Sequence, residues 1–292
     1  MTSSKKPEVR PTLADRVVGW FSPAAGAVRL RARAFLALAG GGALVVLGVI
    51  VALLGGIESL LSAVVADGMG GHDCGEIASE IALTVLSGVE AGGGQTETRD
   101  ELEQLFVAAQ DEIGEIDTSS ERRAGTTLTG AILVEHDETP HWLVANIGDS
   151  RTYCVRDGVF EQVTVDHSQV QEYLDAGMLT AEQARVDPRR NVITRALGAG
   201  MLPPRADFFS FATEPGDLLL LCSDGLTGEL PDEELEAVLD EAQTAQDAVD
   251  ALVEGALLVG AHDNVTAIVV RVLGDADDDA TDDAADDAAA TS

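Results

Sequence analysis

The chain has 292 residues, 46% of them apolar, enough for one sizeable folded core with extensions at its ends. It carries 51 Asp and Glu against 18 Lys and Arg, a net charge of −33, and no Lys follows Lys6. Such acidity excludes a basic stripe for nucleic acid. It points to a surface adapted to high salt, where screening tolerates dense carboxylates. Three cysteines, Cys74, Cys154 and Cys222, are far apart and form no CxxC pair, which argues against a disulfide framework or a zinc site. They read as small apolar filler in a reducing compartment.

Residues 1–34 hold seven bases and two acids, with Pro7, Pro11 and Pro23 as breakers. They read as a basic, poorly ordered leader. Residues 35–57, FLALAGGGALVVLGVIVALLGGI, contain no charge. As a helix this stretch would run about 34 Å, long enough to cross a bilayer core. It predicts an N-terminal apolar, membrane-crossing helix flanked by Arg29, Arg31 and Arg33, and hence a membrane-associated protein. The alternatives are a Gly-rich segment of the core and a cytoplasmic protein.

From residue 58 to 274 short β-rich runs alternate with amphipathic stretches. Strands are expected at 61–66, 126–134, 141–147, 151–155, 207–213, 217–222 and 265–273. Arg156-Asp157-Gly158 is a hairpin turn. Helices are expected at 74–89, 98–114, 231–241 and 244–259. Helices grouped before and after a block of strands predict an α+β fold with antiparallel sheets. Residues 275–292 carry eight Asp and no base, the composition of a disordered acidic tail.

Acids recur where apolar strands end. VVADGMGG places Asp67-Gly68 there, LLLLCSDGL places Asp224-Gly225, and HDNVTAIVV sets Asp263-Asn264 just ahead of a strand. Asp149 in NIGDSR adds a fourth. A carboxylate at a strand end stands on rigid scaffold, and a neighbouring glycine lets backbone approach closely. Hard divalent cations take such carboxylates, carbonyls and waters. A single Asp-Gly is most often a turn, but the combined acid count suits a binuclear site.

These motifs carry a resemblance. ADGMGGH (66–72), GTTLTGAIL (125–133), NIGDSRTYCVRDG (146–158), VDHSQV (165–170), PRRNVITRALG (188–198), GDLLLLCSDGLT (216–227) and HDNVTAIVV (262–270) resemble, in order and spacing, the protein phosphatase 2C family of metal-dependent serine/threonine phosphatases. The resemblance implies an α-β-β-α sandwich of two antiparallel sheets flanked by helix pairs. It implies hydrolysis of phosphoserine and phosphothreonine in a phosphorylated protein substrate, by a metal-activated bridging water and without a phosphoenzyme. Two Mn²⁺ or Mg²⁺ ions would be held by Asp67, the Gly68 carbonyl, Asp224 and Asp263, with Asp149 helping to hold a weaker third. Residues 168–195 resemble the mobile flap beside the cleft. There Arg189, Arg190 and Arg195, with Arg185, would attract the substrate phosphate or pair internally with acids. Asn264 is a further substrate-binding candidate. His72 and His262 would support neighbouring metal ligands, and Met69 stands where relatives often place a histidine acid.

The family's opening Arg followed by Asn-Glu-Asp is absent: the first Asn in the chain is Asn146, and only Glu8, Asp15 and Glu58 precede Asp67 among the acids. Arg33 is nearest in spacing, followed by Ala-Phe-Leu. The missing strand would be lost or rebuilt from apolar sequence. A catalytically impaired, membrane-associated binding or regulatory module is the alternative function, and an N-terminally rearranged reading frame is a variant of it.

Overall fold

The structure, a computed structural model, describes residues 31–39, 62–70, 72–89, 94–116, 123–201 and 203–273. Two antiparallel sheets form its centre. The first has five strands in the order β1 (Arg31–Ala39), β12 (Val265–Leu273), β11 (Leu218–Cys222), β7 (Arg151–Arg156) and β8 (Val159–Gln162). The second has four in the order β10 (Asp207–Ala212), β6 (Thr139–Ile147), β5 (Leu128–His136) and β2 (Ser62–Val65). A small third sheet joins β3 (Gly68–Met69), β4 (Gly125–Thr126) and β9 (Leu197–Gly198).

The side-chain period of two on each strand decides the layering. In β11, Leu219 and Leu221 pack with Ala131, Trp142 and Val144 of the other sheet. Leu218, Leu220 and Cys222 point the other way, onto α6 (Asp232–Glu241) and α7 (Ala245–Val259), through Leu235, Leu239, Val249 and Leu252. The continuous apolar run LLLLC is therefore a strand covered on both faces. In the second sheet, Leu128, Ile132, Leu143 and Ile147 face α1 (His72–Leu86) and α2 (Gln95–Gly114), meeting Ala82, Leu102, Phe106 and Ile113. Helix α7 starts on a capping box: Thr244 Oγ1 accepts the Asp247 amide at 3.0 Å, and the Asp247 carboxylate accepts the Thr244 amide at 3.1 Å. The expected hairpin turn joins β7 to β8, with Asp157 and Gly158 at φ 52° and 71°.

The expected apolar helix over 35–57 is corrected at its start. Phe35–Ala39 belong to β1, which pairs antiparallel with β12 from Arg31↔Leu273 to Ala39↔Val265. Without that partner, the backbone donors and acceptors along one edge of β12 would be left open. Residues 40–57 lie outside the described residues, as do residues 1–30 of the leader and the acidic tail. No helix among the described residues is long and apolar enough to cross a membrane. The missing first strand is thus rebuilt from RARAFLALA. Two short helices escaped the sequence reading, α3 (Gln169–Asp175) and α4 (Ala181–Val186), as did the one-turn α5 (Asp224–Thr227).

Leu221 is fully buried between the sheets. Leu221→Ala removes packing there and leaves a cavity that rigid strands cannot close. It is expected to cost about 3 kcal/mol of stability, read from the midpoint of urea unfolding.

Candidate metal centre

Asp67 follows the end of β2, and its backbone is held by the GTTLTG segment. The Thr127 amide donates to the Asp67 carbonyl at 2.9 Å, Thr126 Oγ1 donates to the same oxygen at 2.9 Å, and the Asp67 amide donates to Thr127 Oγ1 at 3.2 Å. Thr127 Oγ1 also lies 2.7 Å from Ser150 Oγ. One threonine thereby links the segment carrying Asp67 to the turn carrying Asp149. That turn needs Gly148: its φ is +108°, and a Cβ there would overlap the Thr127 side chain.

Asp224 opens α5 immediately after β11, and Asp263 precedes β12. These two segments touch through Gly225, where any Cβ would collide with the Asn264 carbonyl. Ser223 locks the contact, since its Oγ accepts the Thr266 amide at 3.2 Å and donates to the Asn264 carbonyl at 3.3 Å. Gly68 is exposed on β3, directly beside Asp67.

The acids interact as a group. Burial, then the charge of Asp224 and a hydrogen bond with it, then the charges of Asp263 and Asp149, push the Asp67 carboxyl well above the usual range. Burial, Asp224 and Asp166 push Asp149 up to about 8. Burial raises Asp224 as well, a rise that its hydrogen bond with Asp67 and the charge of Arg151 oppose and that Asp263 and Asp166 reinforce. Among the described residues no three His, Cys, Asp or Glu side chains close into ligating geometry. Asp67 and Asp224 interact directly instead, and burial beside like charge favours their neutral forms. Asp224 Oδ1 is buried with no hydrogen-bond partner. An orphaned carboxylate oxygen inside an acid cluster fits a cation, because isolated buried charge is otherwise costly.

Sequence reasoning gave no role to the neighbours that hold this cluster. Arg151 binds Asp166 bidentately, at 2.8 Å from Nε and 2.7 Å from a terminal nitrogen, and reaches the Tyr153 hydroxyl at 2.9 Å. The Tyr153 hydroxyl in turn donates to Asp232 at 3.1 Å. His167 Nδ1 accepts the Gly148 amide at 3.0 Å, so the ring is neutral and its Nε2–H donates to Asp207 at 3.0 Å. Burial lowers the pKa of His167, aided by Arg195 and opposed by Asp207. Arginine two positions after the acid in GDSR, and Asp-His in VDHS, were the available signs.

The flap arginines divide. Arg189 is tied to Asp187 at 2.7 Å and lies over the Tyr173 ring, 4.6 Å from its centroid. Arg195 is tied to Asp207 at 2.8 Å. Arg185 and Arg190 are exposed and have no partner within ion-pair distance among the described residues. The charge of Arg190 reaches Glu229, near Asp263 in the fold. Arg33 cannot stand in for the family's opening arginine from β1: it pairs with Arg271, six positions from Ala39↔Val265, about 20 Å along the strand from the acid end. The side chain of His72 lies outside the described residues. Met69 lies on β3, paired with Gly125.

Carboxylates at strand ends of a two-sheet sandwich stand on rigid scaffold and are donors of the type hard cations prefer. Residues 55–258 match the sequence pattern of the family described as protein phosphatase 2C, and the chain belongs to that family. It is 37% identical over 214 residues to serine/threonine phosphatase stp of Listeria monocytogenes serotype 4b (strain F2365), covering 71% of this chain and 82% of that one. Its fold matches the crystal structure of serine/threonine phosphatase Stp1 from Staphylococcus aureus with a TM-score of 0.69 at 29% identity, over 84% of this chain and 96% of that one. It also matches the catalytic domain of serine/threonine protein phosphatase PstP in complex with two manganese ions, with a TM-score of 0.66 at 29% identity, over 84% and 99% of the two chains.

A neutral His167 makes a signed prediction. Its folded pKa lies below the ordinary value, so its contribution is present above about pH 6.5 and lost as pH falls and the unfolded chain takes up the proton. The stability lead of the wild type over His167→Gln should shrink between pH 7 and pH 5 in urea unfolding. An unchanged gap would contradict the neutral ring.

Proposed function

We propose that this protein hydrolyses phosphoserine and phosphothreonine in protein substrates, using two Mn²⁺ or Mg²⁺ ions. The observation that carries this reading is the buried, unpartnered Oδ1 of Asp224, whose side chain interacts with that of Asp67. Asp67, the Gly68 carbonyl, Asp224 and Asp263 would hold the two ions, and Asp149 would serve a weaker third. Bound there, the ions supply Lewis acidity for attack of water on phosphorus. The chain's own contribution is to hold the acids close on immobile segments and to bring the phosphate to them. Four acids on locked backbone favour hydrolysis over a non-catalytic binding module.

For substrate binding, Arg190 is the flap cation best placed. It is exposed, its charge acts on Glu229, which holds the His262 amide next to Asp263, and no acid neutralises it at contact distance among the described residues. Arg189 and Arg195 would act indirectly, by holding the flap through Asp187 and Asp207. Asn264 flanks Asp263 at the rim and is half-buried, a position from which its amide could contact the substrate.

Hydrolysis of p-nitrophenyl phosphate and of a phosphothreonine peptide is expected to require manganese or magnesium and to stop in EDTA. Asp224→Asn should lower the rate about a hundredfold or more, with the fold retained by circular dichroism. Absence of turnover across a manganese titration, in low and high salt, would sink the proposal. Arg190→Ala should raise KM for the phosphopeptide about tenfold while leaving kcat on p-nitrophenyl phosphate near wild type. Equal effects on both substrates would remove Arg190 from substrate recognition.

A further inference from the structure

Asp263 is exposed and follows a turn in an unusual conformation, with Gly260 at φ 137° and Ala261, a non-glycine, at φ 43°. On its C-terminal side the chain is fixed by Ser223 and by the close approach of Gly225. On its N-terminal side a different group takes hold. The Glu229 carboxylate accepts the His262 backbone N–H at 2.9 Å and lies 2.9 Å from His262 Nδ1. Glu229 is five residues beyond Asp224, in the turn that follows α5, between Leu226 and Leu230, both buried in the core. The Leu230 amide donates back to Leu226 at 2.9 Å, so the backbone under Glu229 does not yield.

We infer that Glu229 is a positioning residue for the cation site: by holding the His262 amide, it seats Asp263 against Asp224. The inference rests on the reading of Asp224 and Asp263 as metal ligands. The plainer alternative is a surface ion pair of little consequence. Two observations oppose it. The Glu229 side chain is only 11% exposed although its partner ring is 82% exposed. And one of its two bonds goes to a backbone amide, which holds whatever the charge on the imidazole. A half-buried carboxylate that holds backbone one residue from a ligand acts as the outer support of that ligand. The charge of Arg190 also acts on Glu229.

The test is calorimetric titration of Mn²⁺ into EDTA-stripped, dialysed protein, with phosphopeptide kinetics at saturating Mn²⁺ alongside. Glu229→Ala is expected to weaken Mn²⁺ binding about tenfold while leaving the peptide KM unchanged. Glu229→Gln keeps an oxygen for the His262 amide and should stay within about threefold of wild type. Glu229→Asp keeps the charge but shortens the reach, so it should weaken binding nearly as much as alanine. It decides the question if the alanine variant does not fold. Wild-type Mn²⁺ affinity in the alanine or aspartate variant overturns the inference while leaving the metal-site reading standing. Glutamine as weak as alanine also overturns it, because charge and not the hydrogen bond would then matter. A wild-type protein that takes up no Mn²⁺ overturns both.

Discussion

The structure depends on a repulsion. Burial and the charges of neighbouring acids raise the pKa values of Asp67, Asp149 and Asp224, because backbone brings these carboxylates and Asp263 together in a setting where charge is poorly screened. Free side chains on flexible loops would separate. Here they cannot, because the segments are tied through atoms other than the carboxylates. Thr127 joins the Asp67 and Asp149 segments, Ser223 and Gly225 join the Asp224 and Asp263 segments, and both sheets contribute strands. The raised carboxyls and the bare, buried Asp224 oxygen are what such confinement produces.

Strand β7 shows how scarce positive charge is used in so acidic a chain. It begins at Arg151 and ends at Arg156, and each makes a bidentate pair with a buried aspartate, Asp166 at one end and Asp217 at the other. The first pair sits beside the acid cluster, and its guanidinium offsets Asp149 and Asp224 without leaving Asp166. The second reaches across to the Ala212 carbonyl at the end of β10, at 2.7 Å, and to Glu214, so it ties the two sheets at their other end. Buried pairs of this kind contribute little net energy against desolvation. Their effect is placement: one strand is pinned at both ends, and the turn carrying Asp149 leaves from the pinned end. The same use of arginine explains why the flap is less basic toward solvent than its composition, with Arg189 and Arg195 already engaged.

Much of this was legible in the sequence. Strand-ending acids, the Asp-Gly turn at 157–158 and the doubly covered run LLLLC carry their meaning locally, through period and turn chemistry. What was not legible needed partners distant in sequence. Arg151 with Asp166, His167 with Gly148 and Asp207, and Glu229 with His262 are pairings that no spacing announces. The short helices α3 and α4 were missed because six or seven residues give too few turns for a period to show. The apolar stretch misled for the opposite reason. An uncharged run satisfies a bilayer, a buried helix or a strand in a two-faced sheet, and hydropathy alone does not separate them.

Strand β1 turns that ambiguity into a distinction between what fold and chemistry demand. Pairing along β12 is made by backbone groups, so nearly any strand-compatible sequence can fill the edge, and RARAFLALA does. The acid end of that edge is set by register: Ala39 lies opposite Val265, two residues from Asp263, while Arg31 and Arg33 lie toward the far end. The fold thus tolerates replacement of its opening strand because it asks only for pattern. The site asks for identity, and no described residue of β1 brings a carboxylate to the acid cluster. The acid cluster is therefore built from other segments, those of Asp67, Asp149, Asp224 and Asp263, and from the residues that hold them still.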